Sequence, residues 1–176
     1  MRPLGIALAA TAAIGLCGAL LATSRMGEGA SPPHVAAASA FEAGRYLVKF
    51  GACNDCHTPG WRESDGKLPE AQWLTGSNIG YRAAWGTSYP PNIRLLVAQL
   101  TVDEWLAMIR TRADHPPMPW HELRALGEND RRAIYYFIRA LGPAGEVAPF
   151  NLREGQVPTT PYVDIDVKPG VPQAAQ

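Results

Sequence analysis

The pentapeptide Cys53-Asn54-Asp55-Cys56-His57 constrains this chain of 176 residues more than any other stretch. Two thiols three positions apart lie on the same side of a helical turn, and an imidazole directly follows the second thiol. Two such sulfurs can add across the two vinyl groups of one porphyrin, and the histidine can then bind the iron. The pattern predicts one haem c, covalently attached at Cys53 and Cys56, with His57 as an axial ligand of its iron.

A Cys-x-x-Cys pair by itself also fits a redox disulfide, a structural disulfide or half of a zinc site. Zinc needs two further Cys or His ligands. The remaining cysteine, Cys17, lies in an N-terminal apolar run, and the remaining histidines show no paired spacing. A thioredoxin-like motif follows a hydrophobic strand, and no such strand is predicted before Cys53. The adjacent His57 favours haem over these three alternatives.

The N-terminus reads as an export signal. An uncharged, mostly apolar run extends from Pro3 to Ala22, directly after Arg2. A positive end before such a run is typical of a secretory signal peptide, while about 20 apolar residues also suffice to span a bilayer. Residues 1–24 are therefore predicted to be a signal peptide or a membrane anchor, and both readings stay open. Residues 25–39, rich in Ala, Gly, Ser and Pro, are predicted to be a linker.

One domain is predicted after the linker, over residues 40–143, followed by an extended Pro-rich tail over residues 144–176. Apolar residues at helical spacing predict three amphipathic helices. They cover residues 41–50, 102–112 (with Thr101 as N-cap and Glu104 completing a capping box) and about 129–141. In the tail, the alternation at residues 163–167 predicts one possible strand.

The stretch from residue 58 to residue 92 lacks helical periodicity and contains scattered Gly and Pro, which predicts irregular structure. So long a loop is unusual in a compact domain. A flat apolar cofactor would give its bulky side chains a surface on which to pack. The candidates for that lining are Trp61, Trp73, Leu74, Ile79, Tyr81, Trp85 and Tyr89.

The second axial position of the iron needs a ligand from further along the chain. Met108 lies within a predicted helix, where a thioether is expected to pack in the core. Met118 lies between two prolines, which hold the backbone extended and limit the entropy lost when the sulfur binds a metal. Met118 is therefore the predicted ligand, with His115 and His121 as alternatives. A thioether there would raise the reduction potential relative to a second imidazole.

Charge gives no sign of a polyanion partner. The chain has 16 Lys and Arg against 16 Asp and Glu, so its formal net charge is zero. From Phe41 onward the count is 14 against 15, a difference of −1. Without a basic stripe or an acidic tail, a nucleic-acid partner is not expected, and any docking surface is predicted to be mostly uncharged.

The chain resembles a class I cytochrome c, and more narrowly one haem module of the cytochrome c subunits that serve periplasmic alcohol and gluconate dehydrogenases. The likeness covers roughly residues 41–143. It rests on Gly44, Tyr46 and Leu47, the haem motif with Thr58, Pro91-Asn92-Ile93, Thr101, Glu104 and Trp105, Met118-Pro119, and residues 130–138. Those subunits carry three modules in one chain, whereas this chain has a single Cys-x-x-Cys-His.

The resemblance implies an all-α fold, with helices and long irregular loops wrapped around one covalently bound haem. It also implies that the first and last helices cross at Gly44 and Phe137, and that Met118 binds the iron. Haem c is attached outside the cytoplasm in bacteria. The resemblance therefore implies a protein of the periplasm, either soluble or held at the inner membrane by residues 1–24.

The function implied is electron transfer without substrate turnover, so the chain is expected not to be an enzyme. Single electrons would pass through one haem between a periplasmic or membrane-bound dehydrogenase and a downstream oxidase or cytochrome of the respiratory chain. Two alternatives stay open. One is a haem enzyme or ligand sensor with an exchangeable sixth ligand, and the other is a thiol-disulfide oxidoreductase that uses Cys53 and Cys56 without haem.

Overall fold

The computed structural model describes residues 33–114 and 116–170, and within these ranges it contains six α-helices, one 3-10 helix and four β-strands. The helices are α1 (Ala40–Phe50), α2 (Cys53–His57), α3 (Ile93–Ala98), α4 (Val102–Thr111), α5 (Trp120–Ala125) and α6 (Glu128–Leu141), with the 3-10 turn at Glu70–Gln72. The strands are β1 (Gly80–Ala83), β2 (Gly86–Ser88), β3 (Leu152–Arg153) and β4 (Tyr162–Asp164). The predicted signal peptide or anchor lies outside the described residues.

The predicted amphipathic helices are confirmed as α1, α4 and α6. In α4 the capping box is present: the Thr101 hydroxyl accepts a hydrogen bond from the Glu104 N–H, and the Glu104 carboxylate accepts one from the Thr101 N–H. No helix in the described ranges is both long and apolar enough to cross a membrane.

Helices α1 and α6 cross in close contact and form the centre of the fold. A Cβ atom at Gly44 would overlap the Ala133 carbonyl oxygen and would lie 2.7 Å from the Phe137 Cβ. Only a glycine therefore lets the two backbones approach this closely. The expected crossing of the first and last helices at Gly44 and Phe137 is confirmed.

The hydrophobic core surrounds this crossing and receives side chains from α1, α3, α4 and α6. The loop after α2 adds Trp61, Trp73 and Leu74 to the same cluster. The Trp73 ring meets the Phe137 ring edge-on, with 6.0 Å between centroids. Part of the loop predicted to pack on a cofactor therefore packs on α6.

The prediction of an all-α fold of the class I cytochrome c type is wrong. Six helices combine with a four-stranded mixed sheet of order β3-β2-β1-β4, which makes the described part an α/β fold. Strands β1 and β2 form an antiparallel hairpin inside the stretch predicted to be irregular. Strand β4 pairs parallel to β1, and β3 pairs antiparallel to β2.

Two physical reasons explain the error. Strands β1 and β2 contain four and three residues, too few to show an alternation of polar and apolar side chains. Their outer partners lie far along the chain, since Gly80 pairs with Tyr162 and Thr87 with Leu152. Strand formation here depends on pairing between distant segments, which local propensity does not report. The strand predicted at residues 163–167 corresponds to β4, which the structure places at Tyr162–Asp164.

Candidate haem-attachment site

The Cys-x-x-Cys-His motif forms its own short helix, α2, at the end of α1. Helix α1 closes with a hydrogen bond from the Gly51 N–H to the Leu47 carbonyl at 2.8 Å. Ala52 then adopts a left-handed conformation with φ of 53°, which turns the chain and starts α2 at Cys53. Because α1 packs on α6, the motif directly follows a helix that is anchored in the hydrophobic core.

Both cysteines of α2 are free thiols and are half-buried. They stand three positions apart on one turn, so their sulfurs face the same side of the helix. Burial raises the pKa of the Cys53 thiol to about 11, which keeps it protonated at neutral pH. The Tyr81 hydroxyl donates a hydrogen bond to the Cys56 sulfur, with 3.2 Å between the oxygen and the sulfur.

The His57 imidazole is buried, with 6% of the residue exposed, and its Nδ1 lies 2.9 Å from the Pro91 carbonyl oxygen. A carbonyl only accepts hydrogen bonds, so Nδ1 must carry the proton. Burial lowers the pKa of His57, and the hydrogen bond to Pro91 opposes part of that shift. The ring is therefore neutral at pH 7, with its Nε2 lone pair free. This is the tautomer that binds a metal through Nε2.

Backbone and side-chain hydrogen bonds tie α2 to the segment at residues 74–76. The Gly76 N–H donates to the His57 carbonyl at 2.8 Å. The Thr58 hydroxyl donates to the Asn54 side-chain oxygen at 2.7 Å and accepts from the Leu74 N–H at 2.8 Å. Thr58 and Asn54 are 3% and 1% exposed, so these bonds are shielded from water. The hydrogen bonds from Leu74 and Gly76 thus fix the orientation of α2.

The small sheet holds the tyrosine that meets Cys56. Tyr81 belongs to β1 and pairs with Val163 of β4. Burial, and then the hydrogen bond to Cys56, raise the pKa of Tyr81 to about 12, so the hydroxyl keeps its proton and acts as a donor at neutral pH. Tyr81 is one of the predicted lining residues, but its contact with Cys56 depends on the sheet that positions it, which local sequence patterns do not reveal.

The structure separates the other proposed lining side chains into two groups. Trp61, Trp73 and Leu74 are buried in the core, and Tyr89 is buried beside the C-terminal segment, where its hydroxyl meets the Thr160 hydroxyl at 2.8 Å. Ile79 and Trp85 are exposed by 41% and 43%. Most of these loop side chains therefore pack against other parts of the protein.

Candidates for the second axial ligand lie on different segments. Met108 packs against the core from α4, as expected. His121 is exposed on α5, with its Nε2 3.3 Å from a carboxylate oxygen of Glu122, and His115 lies outside the described residues. Met118 is half-buried in the loop between α4 and α5, and its carbonyl accepts a hydrogen bond from the Trp120 N–H at 2.9 Å. A role for its sulfur in iron binding stays a prediction.

These donors fit a covalently attached haem. Two free thiols lie on one helical turn. Beside them is a neutral imidazole whose Nδ1 already donates a hydrogen bond to the Pro91 carbonyl. Within residues 33–114 and 116–170, no three His, Cys, Asp or Glu side chains form a metal-binding group.

Comparison with known proteins gives no match, whether with family models, with curated proteins or with solved structures.

Thr58 offers a test of the bonds that orient α2. Replacing Thr58→Val keeps the shape of the side chain but leaves the Leu74 N–H and the Asn54 oxygen without their partner. We expect a loss of about 2 kcal/mol in the free energy of unfolding, measured by urea titration of the full-length chain. Thr58→Ser keeps the hydroxyl and should cost about 1 kcal/mol for the lost methyl group. Equal losses in the two variants would contradict the bridging role.

Proposed function

We propose that this chain is a c-type cytochrome of the periplasm that transfers single electrons through one haem. The haem is attached at Cys53 and Cys56, and its iron is bound by His57 and Met118. The observation that carries the proposal is the hydrogen bond from the buried His57 Nδ1 to the Pro91 carbonyl, next to two free thiols on the same turn. Together they prepare one imidazole nitrogen and two sulfurs for the same cofactor.

Each of these side chains has a defined task in the proposal. A bound haem would supply a one-electron couple at the iron, which the protein's own side chains lack. The two cysteine sulfurs hold the cofactor by covalent bonds, and the Pro91 carbonyl keeps the His57 ring in one tautomer and one orientation. Burial of the imidazole limits the access of water to the donor side of that hydrogen bond. Met118 would supply a second ligand, a thioether sulfur, to the iron.

A thiol-disulfide oxidoreductase is less well supported by the same residues. Such an enzyme needs a thiolate at neutral pH, and its reactive cysteine has a pKa lowered toward or below 7. In this protein burial raises the pKa of Cys53 to about 11. The proposal for Cys53 and Cys56 is therefore attachment to a cofactor rather than exchange with a disulfide.

The proposed partners are proteins on either side of the carrier in a respiratory chain. A periplasmic or membrane-bound dehydrogenase would donate the electron, and an oxidase or another cytochrome would accept it. The apolar run near the N-terminus supports export, with residues 1–24 acting as a signal peptide or an inner-membrane anchor. The near-zero net charge supports partners that do not depend on strong electrostatic attraction.

Covalent haem attachment tests the proposal. We expect the full-length chain, produced in a bacterium with haem-attachment machinery, to carry one haem that stays bound after denaturation, to give a haemochrome spectrum with pyridine and to titrate as a one-electron couple. The haem-bearing protein should appear in the periplasmic or membrane fraction. Cys53→Ala with Cys56→Ala should abolish attachment, while Cys17→Ala, the matched control, should keep it. A wild-type chain matured without covalent haem would refute the proposal.

Met118 is tested by its effect on the iron. Met118→Ala should remove the weak absorption band at the red edge of the ferric spectrum, which reports a sulfur ligand, and should lower the reduction potential. Met108→Ala is the matched control, since its thioether packs against the core. Because Met108 is only half-buried, its loss should lower stability by about 1 to 2 kcal/mol and leave the band in place. Persistence of the band in Met118→Ala would exclude Met118 and would point to the sulfur of another methionine. A wild-type protein that carries haem but lacks the band would favour a haem enzyme or sensor with an exchangeable sixth ligand.

A further inference from the structure

Asn92 links the candidate haem site to the C-terminal segment through one buried side chain. It is 5% exposed. Its side-chain oxygen accepts a hydrogen bond from the Leu95 N–H at 3.0 Å and so caps α3. Its amide nitrogen donates to the carbonyls of Ala144 and Glu146, at 2.8 and 3.1 Å. One amide group therefore joins the start of α3 to the chain that follows α6.

Asn92 also directly follows the residue whose carbonyl binds His57. The Pro91 carbonyl carbon is bonded to the Asn92 nitrogen, and the peptide group between them is planar. The carbonyl oxygen cannot turn away from His57 unless the Asn92 backbone moves with it. Pro91 has no N–H of its own and is exposed, so it has no backbone donor that could help to hold its carbonyl. Bonds made by Asn92 therefore set the direction of the Pro91 carbonyl.

The C-terminal segment at residues 144–146 packs against Asn92 and against residues 75–76, which contact the His57 backbone. Gly145 has a φ of +73°, and a Cβ atom there would lie 2.9 Å from the Thr75 Cβ and 3.1 Å from the Asn92 amide nitrogen. The next residue after Thr75 is Gly76, whose N–H donates to the His57 carbonyl. The segment thus supports both contacts that hold His57.

We propose that Asn92, clamped by the carbonyls of residues 144 and 146, is a positioning residue for the iron ligand His57. It holds the Pro91 carbonyl in line with the His57 Nδ1 proton. The C-terminal segment thereby affects how strongly His57 binds the iron. The inference rests on the proposed function, because it concerns how strongly His57 binds iron. A firm hydrogen bond at Nδ1 makes the ring a more basic ligand, which favours the ferric form and lowers the reduction potential.

Two substitutions in the full-length, haem-loaded protein loosen this clamp without touching His57 or Pro91. Asn92→Ser keeps a side-chain oxygen that can cap α3 but loses both bonds to residues 144 and 146. Gly145→Ala pushes the C-terminal segment away from Asn92 and Thr75. Each has a matched control. Thr101→Ala removes a helix cap from α4, and Gly155→Ala places a side chain at a φ of +80° with nothing within 4 Å.

Two readouts separate positioning from a purely structural role. The first is the exchange rate of the His57 Nδ1 proton in the ferrous protein, followed by NMR. The second is the reduction potential. Asn92→Ser and Gly145→Ala should speed exchange about tenfold and should raise the potential by about 59 mV, which is a tenfold shift toward the reduced form. Thr101→Ala and Gly155→Ala should leave both readouts at the wild-type values, even where they lower the melting temperature.

Each outcome has one meaning. If Asn92→Ser and Gly145→Ala match their controls in exchange rate and potential while the wild type carries haem, the positioning role is refuted and the proposed function stands. The same holds if the controls shift both readouts as much as the two clamp variants do. A wild type without haem refutes the proposed function, and the positioning role falls with it.

Discussion

The hydrogen bond between the His57 Nδ1 and the Pro91 carbonyl joins two segments that lie 34 positions apart in the chain. Its imidazole end is buried, and the bond determines which nitrogen of the ring carries the proton. The surrounding structure maintains its two ends. Helix α1, packed on α6 at Gly44, carries α2 and the imidazole, while the cap of α3 at Asn92 holds the peptide that presents the carbonyl.

The α/β architecture gives the C-terminal part of the chain a place in this arrangement. After α6 the chain passes Asn92 and then returns to the sheet. There Asn151 accepts a hydrogen bond from the Tyr89 N–H at 2.7 Å, and β4 pairs with the strand that carries Tyr81. An all-α domain ending near residue 143 would lack these contacts. The segment predicted as a Pro-rich tail therefore supports the candidate site as far as it is described.

The sequence predicts those parts of the fold and of the candidate site that depend on residues close together in the chain. Helices α1, α4 and α6 were predicted because apolar periodicity and the capping box at Thr101 are local. The Cys-x-x-Cys-His motif is also local. The sheet was missed because its strands are short and their outer partners lie more than 60 positions away. The partners of His57, Cys56 and Asn92 depend on tertiary structure, and spacing along the chain does not reveal them.

The tautomer of His57 is open to measurement by nitrogen-15 NMR of the histidine-labelled protein produced without haem. The structure predicts one proton on the His57 ring, attached to Nδ1 and protected from exchange by the Pro91 carbonyl, with Nε2 unprotonated. A proton found on Nε2, or an Nδ1 proton that exchanges as freely as that of an exposed histidine, would contradict this arrangement of the site.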